Sequence, residues 1–338
     1  MKRVLSLLEQ AIETGAMPGA VATALRGGET LFSTALGTLD GDEPTYAEAI
    51  YDLASLTKPL ATAATLLTLV EDGTLALATP IPEFLGPRAG HLRDVTLRHL
   101  LTHTSGLPAW TPCYDLGEGL ESAVEAVLRT PTVPPGTRYE YSCLGYILLA
   151  RILQRITEKP LDALAAERVF SPLRLDSLTF WPDPARCAPT TAHEGAEGSP
   201  TTLRGIVHDG NARAIRAGGG VSGNAGLFGT AQDVARFGEA IRCGLFFGEP
   251  TRRRILSPQS SPPGHTLMFF CPPNGYTPIG DLLSDRAVGH SGYTGTFLTI
   301  DPEYDLTIVL LTNAVYGEGK EDFLRWRRKF LNALAAEL

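Results

Sequence analysis

Short apolar runs folded back across tight turns stand at both ends of this chain. Gly19 to Leu25 and Thr30 to Leu36 flank Gly27-Gly28, a turn signal that predicts a β-hairpin. Gly295 to Ile300 and Leu306 to Leu311 flank Asp301-Pro302-Glu303-Tyr304-Asp305, which predicts a second strand pair. Apolar residues at positions 4, 7, 8, 11 and 12 predict an N-terminal helix, and Glu321 to Leu338 has the composition of a closing helix. Between the ends, helices are predicted at about 59–71, 94–103, 121–129, 144–157 and 231–243. Strand pairs this far apart leave few architectures. Both termini build one antiparallel sheet, and the middle forms a mainly helical lobe, an α/β (α+β) class of fold. The expectation is a single domain over 1–338, with a sheet lobe at about 1–50 and 215–338 and a helical lobe at about 51–214. Connections at 104–119, 181–224 and 244–287 are Pro/Gly-rich and long enough to serve as lids or walls.

With 338 residues and 43% hydrophobic content the chain can bury a large core. Its net charge of −8 argues against a nucleic-acid or anionic-membrane surface and for a small-molecule substrate. Five cysteines, odd in number and without a C-x-x-C pair, indicate neither a disulfide framework nor a zinc knuckle. Glu9 interrupts the first apolar run before it reaches the length of a signal sequence, and no apolar stretch approaches the ~20 residues of a membrane span. A cytoplasmic location is expected, and the oligomeric state is left open.

Ser55-Leu56-Thr57-Lys58 places a hydroxyl and an amine three residues apart, side by side if the backbone is helical. Pro59 belongs to a first helical turn, so Ser55 lies at or just before a helix N-terminus. There its N–H and the helix dipole face any oxyanion formed when the hydroxyl attacks a carbonyl. A cap beside a solvated lysine is the plainer reading of four such residues. Against it stands the rarity of lysine, five residues to 24 arginines, which suggests an amine selected because it can lose its proton.

Tyr141-Ser142-Cys143 follows the turn Pro134-Pro135-Gly136-Thr137 and opens an apolar helix, placing Tyr141 at the mouth of a cleft or simply in a core. Gly289-His290-Ser291-Gly292-Tyr293 precedes the C-terminal hairpin, where glycines admit a close backbone approach and the Tyr293 N–H offers a second oxyanion donor. His99 and His103 are four apart, a metal-pair spacing, but have no third ligand, so no metal and no cofactor is expected. A strict G-x-S-x-G elbow is missing.

In this order the motifs resemble the serine β-lactamase and penicillin-binding protein family, especially its class C branch of β-lactamases, D-alanyl-D-alanine peptidases and carboxylesterases. The resemblance rests on Leu53 to Lys58, Val95 to Leu107, Tyr141-Ser142, Gly223 to Phe228, His290-Ser291-Gly292 and Leu311-Thr312-Asn313. It implies a β-lactamase/transpeptidase-like fold with the active site between sheet and helical lobe. It further implies that Ser55 is acylated, that Lys58 and Tyr141 share the general-base role, that His290 stands where many relatives carry lysine, and that the N–H groups of Ser55 and Tyr293 hold the oxyanion. A cationic Lys58 would favour the tyrosinate of Tyr141. Cys143 stands where relatives usually carry the asparagine that binds an acyl amide, which disfavours β-lactams and peptides and favours esters.

The function expected is therefore a serine hydrolase of small esters or amides, with β-lactamase or D-stereospecific peptidase activity, or penicillin binding without turnover, as alternatives. Substrate contacts are expected from Trp110, Cys143, Ser291, Gly292 and Tyr293, with Tyr114, Phe246 and Phe247 as further candidate walls. If His290 carries charge toward substrate, activity follows a group near pH ~6.5.

Overall fold

Gly27 and Gly28 make the first hairpin turn with positive φ, 58° and 90°, conformations glycine adopts without a Cβ clash. The computed structural model describes residues 1–193, 200–260, 262, 264–316 and 320–338. Helix α1 (Lys2–Glu13) precedes β1 (Gly19–Arg26) and β2 (Glu29–Gly37), and a short strand β3 (Tyr51–Asp52) follows. A π-helical segment, Lys58–Ala63, runs into α2 (Ala64–Glu71), succeeded by α3 (Leu97–Leu101), α4 (Leu120–Arg129) and α5 (Cys143–Thr157). The stretches expected to be bare connections also hold the hairpin β4 (Thr190–His193) and β5 (Pro200–Leu203) and helix α6 (Gly210–Ala217). After β6 (Phe228–Gly229) and α7 (Ala231–Cys243) comes another such helix, α8 (Glu249–Ile255). The chain closes through β7 (Val288–Ser291), β8 (Phe297–Asp301), β9 (Leu306–Thr312) and α9 (Lys320–Ala335).

One antiparallel sheet of order β2-β1-β9-β8-β7 unites the two ends, with Val21 opposite Leu311 and Phe297 opposite Leu310. Every residue of β9 is buried, because both sheet faces are covered. Alternation along the strands sends Ala22, Phe297, Ile308 and Leu310 toward α1 and α9, where Phe330 and Leu334 meet them. Val21, Leu298, Val309 and Leu311 point the other way, toward α7 and the core of the helical region. Gly238 lets α7 lie close to the sheet: a Cβ there would sit 2.7 Å from Leu298 Cδ1 and Thr307 Cγ2. Among the described residues no helix is long and apolar enough to cross a membrane.

The helix predicted over 94–103 is shorter than its pattern. It ends at Leu101, and His103 takes a left-handed φ of 57° that no α-helix continues. His99 instead completes the N-terminal cap of α3, its Nδ1 accepting from the Thr96 N–H at 3.2 Å. The two imidazoles therefore do not share one helical face.

Candidate active site

Residue Ser55 sits in a 3-10 turn, Ala54–Leu56, between β3 and the π-helical segment. Six links fix that turn. Tyr51 and Asp52 pair with β6, and the Leu53 N–H donates to Leu227 O at 2.9 Å. The buried Asp52 carboxylate accepts from the N–H groups of Ala54 and His208, both at 2.8 Å. Burial pushes this carboxyl up to about 6 even though both N–H bonds pull it down. Thr294 Oγ1 donates to Asp52 O at 2.7 Å, and Thr296 Oγ1 to Leu53 O at 3.2 Å, tying the turn to the chain just beyond β7. Ala54 is held at φ 47°, a left-handed conformation costly for alanine, beside the candidate nucleophile.

The Lys58 side chain is fully buried. Its Nζ lies 3.0 Å from Ser55 Oγ, 2.9 Å from the Asn224 carbonyl and 3.5 Å from Cys143 Sγ. Burial depresses its pKa below the ordinary lysine value, more strongly than Cys143 and Asp209 raise it. A neutral amine has a lone pair, and the Ser55 hydroxyl is the group placed to donate to it. Asn224, noted in the sequence only as part of the Gly223 to Phe228 stretch, holds Lys58 in place through its carbonyl. Its own loop is anchored by Thr62 Oγ1 donating to Gly223 O at 2.8 Å.

Tyr141 closes the other side, its ring centroid 4.9 Å from Lys58 Nζ and its hydroxyl on the Ser55 side. Burial drives its phenol well above the usual tyrosine range, with the Cys143 thiol adding to the effect and Ser55 opposing it. Burial thus acts against the tyrosinate that the resemblance implies, and in Lys58 it favours the free amine. Cys143 is likewise raised by burial, which outweighs the attraction of Lys58, so the thiol is not an activated nucleophile. The Tyr141–Cys143 segment is held from behind. Ser142 N–H donates to His103 Nδ1 at 3.0 Å, Ser142 Oγ to Pro108 O at 2.7 Å, and Cys143 N–H to Ala109 O at 2.9 Å.

His290 does not reach the cavity. It is fully buried on β7, stacked on Phe270 at 4.5 Å between ring centroids and 5.9 Å from the Tyr141 ring. Its Nδ1 faces the Ser291 carbonyl at 3.0 Å, so Nδ1 carries the hydrogen and Nε2 is an acceptor. His265, unremarked in the sequence, is tied to Thr266 O in the same way at 2.7 Å and packs edge-on against His103 at 4.7 Å. Burial, with Lys58 and His265 nearby, pulls the His290 pKa well below 6.5, against the expected charge toward substrate. The expected pH profile follows: kcat/KM rises with pH as Lys58 loses its proton, and His290→Phe removes no limb between pH 5.5 and 7.5. A wild-type limb near 6.5 that vanishes in the variant would restore the charged histidine.

A cavity of about 1070 Å³ opens over Ser55. Of the expected contacts, Trp110, Tyr114, Tyr141, Cys143 and Tyr293 line it. Ser291 and Gly292 do not: Ser291 ends the edge strand, and Gly292 packs behind the Ser55 turn against Leu53 O. Phe246 and Phe247 instead meet edge to face at 4.6 Å between centroids, Phe247 inside the helical core and Phe246 packed against it. Tyr293 lies just past β7 and lines the same cavity as Ser55, the two residues whose N–H groups were expected to meet an oxyanion. Among the described residues no group of three or more histidine, cysteine or acidic side chains is arranged to hold a metal.

Comparison with known proteins places the chain in a family. The Beta-lactamase family pattern matches residues 4–333. The N-acetylmuramyl-L-alanine amidase of Bacillus subtilis (strain 168) is 30% identical over 93% of this chain and 80% of its own length. Esterase EstB of Burkholderia gladioli is 30% identical over 93% and 90%. Among solved structures, EstCE1, a hydrolase with promiscuous acyltransferase activity, superposes with a TM-score of 0.79 at 23% identity, covering 98% of this chain and 97% of its own. A pattern matched along nearly the full length, joined to a Ser-x-x-Lys pair buried beside a tyrosine, makes this chain a member of the Beta-lactamase family.

Proposed function

We propose that the chain is a serine hydrolase that forms an acyl-enzyme at Ser55 and acts on small esters, with amides as a second class. The observation that carries this reading is the buried Lys58 amine, 3.0 Å from Ser55 Oγ at the floor of an open cavity, with the Tyr141 phenol across from it. Neutral Lys58 takes the Ser55 proton as Oγ bonds to the substrate carbonyl carbon, and the N–H groups of Ser55 and Tyr293 receive the oxyanion. Tyr141 then gives its proton to the departing oxygen or nitrogen and regains one from Lys58, so the bond to the leaving group breaks without a free anion. Water repeats the sequence on the acyl-enzyme and releases the acid.

Esters rank above β-lactams and peptides because Cys143 supplies no carboxamide toward the cavity. The Asn224 amide nitrogen lies buried behind it, facing the thiol. The esterase and the amidase among the relatives support both substrate classes. The test compares turnover of p-nitrophenyl butyrate and nitrocefin while following the mass of the Ser55 peptide. Ester turnover with a transient butyryl adduct and little nitrocefin hydrolysis is expected. Nitrocefin turnover of the same order would move the assignment to β-lactamase, and a permanent adduct would make the chain a binding or sensor protein.

A further inference from the structure

We infer that the cavity selects substrates carrying an ammonium group, aminoacyl esters and amides in particular, and that Asp209 is the residue that recognises the charge. This rests on the acyl-enzyme reading and names the substrate class of the same site.

Asp209 lines the cavity that opens over Ser55 and is only half-buried. It caps helix α6, one carboxylate oxygen accepting from the Ala212 N–H at 2.8 Å. Asp209 has no ion-pair partner among the described residues. A second carboxylate, Glu118, lines the same cavity. The cation on the wall, Arg213, turns its guanidinium to the carbonyls of Val207 and His208, at 3.0 and 3.1 Å, and so is engaged with its own backbone. Trp110 and Tyr114, 6.2 Å apart between centroids, and Tyr293 line the same cavity with exposed ring surface, Tyr114 lying against Gly210 and Tyr293 stacking on His208, on either side of Asp209 in the chain. Carboxylates and open aromatic faces around one volume attract a cation and repel an anion.

The same carboxylate touches the chemistry through its field. Its charge acts on Lys58, Tyr141 and Cys143, and on Lys58 it favours the protonated form. An ammonium bound at Asp209 cancels that field and releases Lys58 toward the free amine that accepts the Ser55 proton. The right substrate thus helps to prepare its own base, whereas a neutral ester of equal size does not.

The test measures kcat/KM for two matched pairs of p-nitrophenyl esters, propionyl against D- and L-alanyl and hexanoyl against 6-aminohexanoyl, each normalised to its uncatalysed hydrolysis. At least one ammonium ester is expected to be favoured about tenfold, with the ratio shrinking as salt is raised. Asp209→Asn, which keeps an N-capping side chain, is expected to bring that ratio close to one. Ratios near one in the wild type, or a ratio that survives Asp209→Asn, overturn the inference. Should the variant not fold, a wild-type preference indifferent to salt overturns it as well. Ser55→Ala run beside them separates the two readings: neutral-ester turnover that persists without Ser55 removes the acyl-enzyme reading and this inference together, whereas neutral-ester turnover lost with Ser55 but no charge preference removes this inference alone.

Discussion

Ser55→Ala is expected to lower kcat/KM for p-nitrophenyl butyrate by about four orders of magnitude, and Lys58→Met by nearly as much. The two residues act as one unit, because the hydroxyl attacks only when the amine 3.0 Å away can take its proton. The double variant therefore costs little more than Ser55→Ala alone. Losses that multiply would show that Lys58 acts independently of Ser55. Stability separates a chemical role from a structural one. Lys58 is fully buried and its amine is unpaired by any carboxylate among the described residues, so methionine removes an expensive polar burial while filling similar space. It also leaves the Asn224 carbonyl without its donor, a cost of about 1–3 kcal/mol. These effects oppose each other, and thermal unfolding of Lys58→Met is expected within a few degrees of wild type while activity is gone.

Gly292→Ala damages both stability and activity. A Cβ at Gly292 would lie 2.5 Å from Leu53 O, 3.2 Å from Ala54 Cβ and inside contact distance of Thr296 Oγ1. It would enter the space where the Thr296 hydroxyl meets the Leu53 carbonyl. Gly292 is not in a left-handed conformation, so the demand is for room alone. The methyl group pushes the chain beyond β7 away from the turn that holds Ser55, and misplacement by about 1 Å costs on the order of 10²-fold in rate. A loss of at least that size, together with about 2–3 kcal/mol of stability from overpacking, is expected in ester kinetics and urea unfolding. A variant that unfolds more easily but keeps its rate would mean that the contact is ordinary packing.

The parts of the fold that were legible in sequence are those whose signals are local. The hairpin at Gly27-Gly28, the turn before β9 and the span of α7 follow from two-residue or 3.6-residue periodicity and from end signals such as Thr230 and Gly244. The hairpin β4–β5 and helices α6 and α8 were hidden because their apolar residues are few and lie among proline and glycine. Ser55, Lys58 and Tyr141 meet as their motifs suggested. Asp209 and His265 carried no such signal, since each acquires its role only when elements distant in sequence are packed together. His290 misled for a related reason: the resemblance put it where many relatives carry lysine, but on β7 it points inward onto Phe270. Phe246 and Phe247 show the converse, with aromatic character alone unable to separate a wall from a core.

The pairing of β1 with β9 sets a schedule for the growing polypeptide. As the ribosome releases the first hairpin, one side of β1 has no neighbour, because Val21 waits for Leu311. Until β9 emerges, that row of backbone donors and acceptors is an open template on which another nascent chain can add. The helical segments made in the interval lie between the two halves of the sheet and can settle locally first, while closure of the sheet comes last and slowly because its contacts are so distant in sequence. The cleft that holds Ser55 therefore reaches its working shape only after almost the entire chain has been synthesised, and a truncated product would be inactive and prone to self-association.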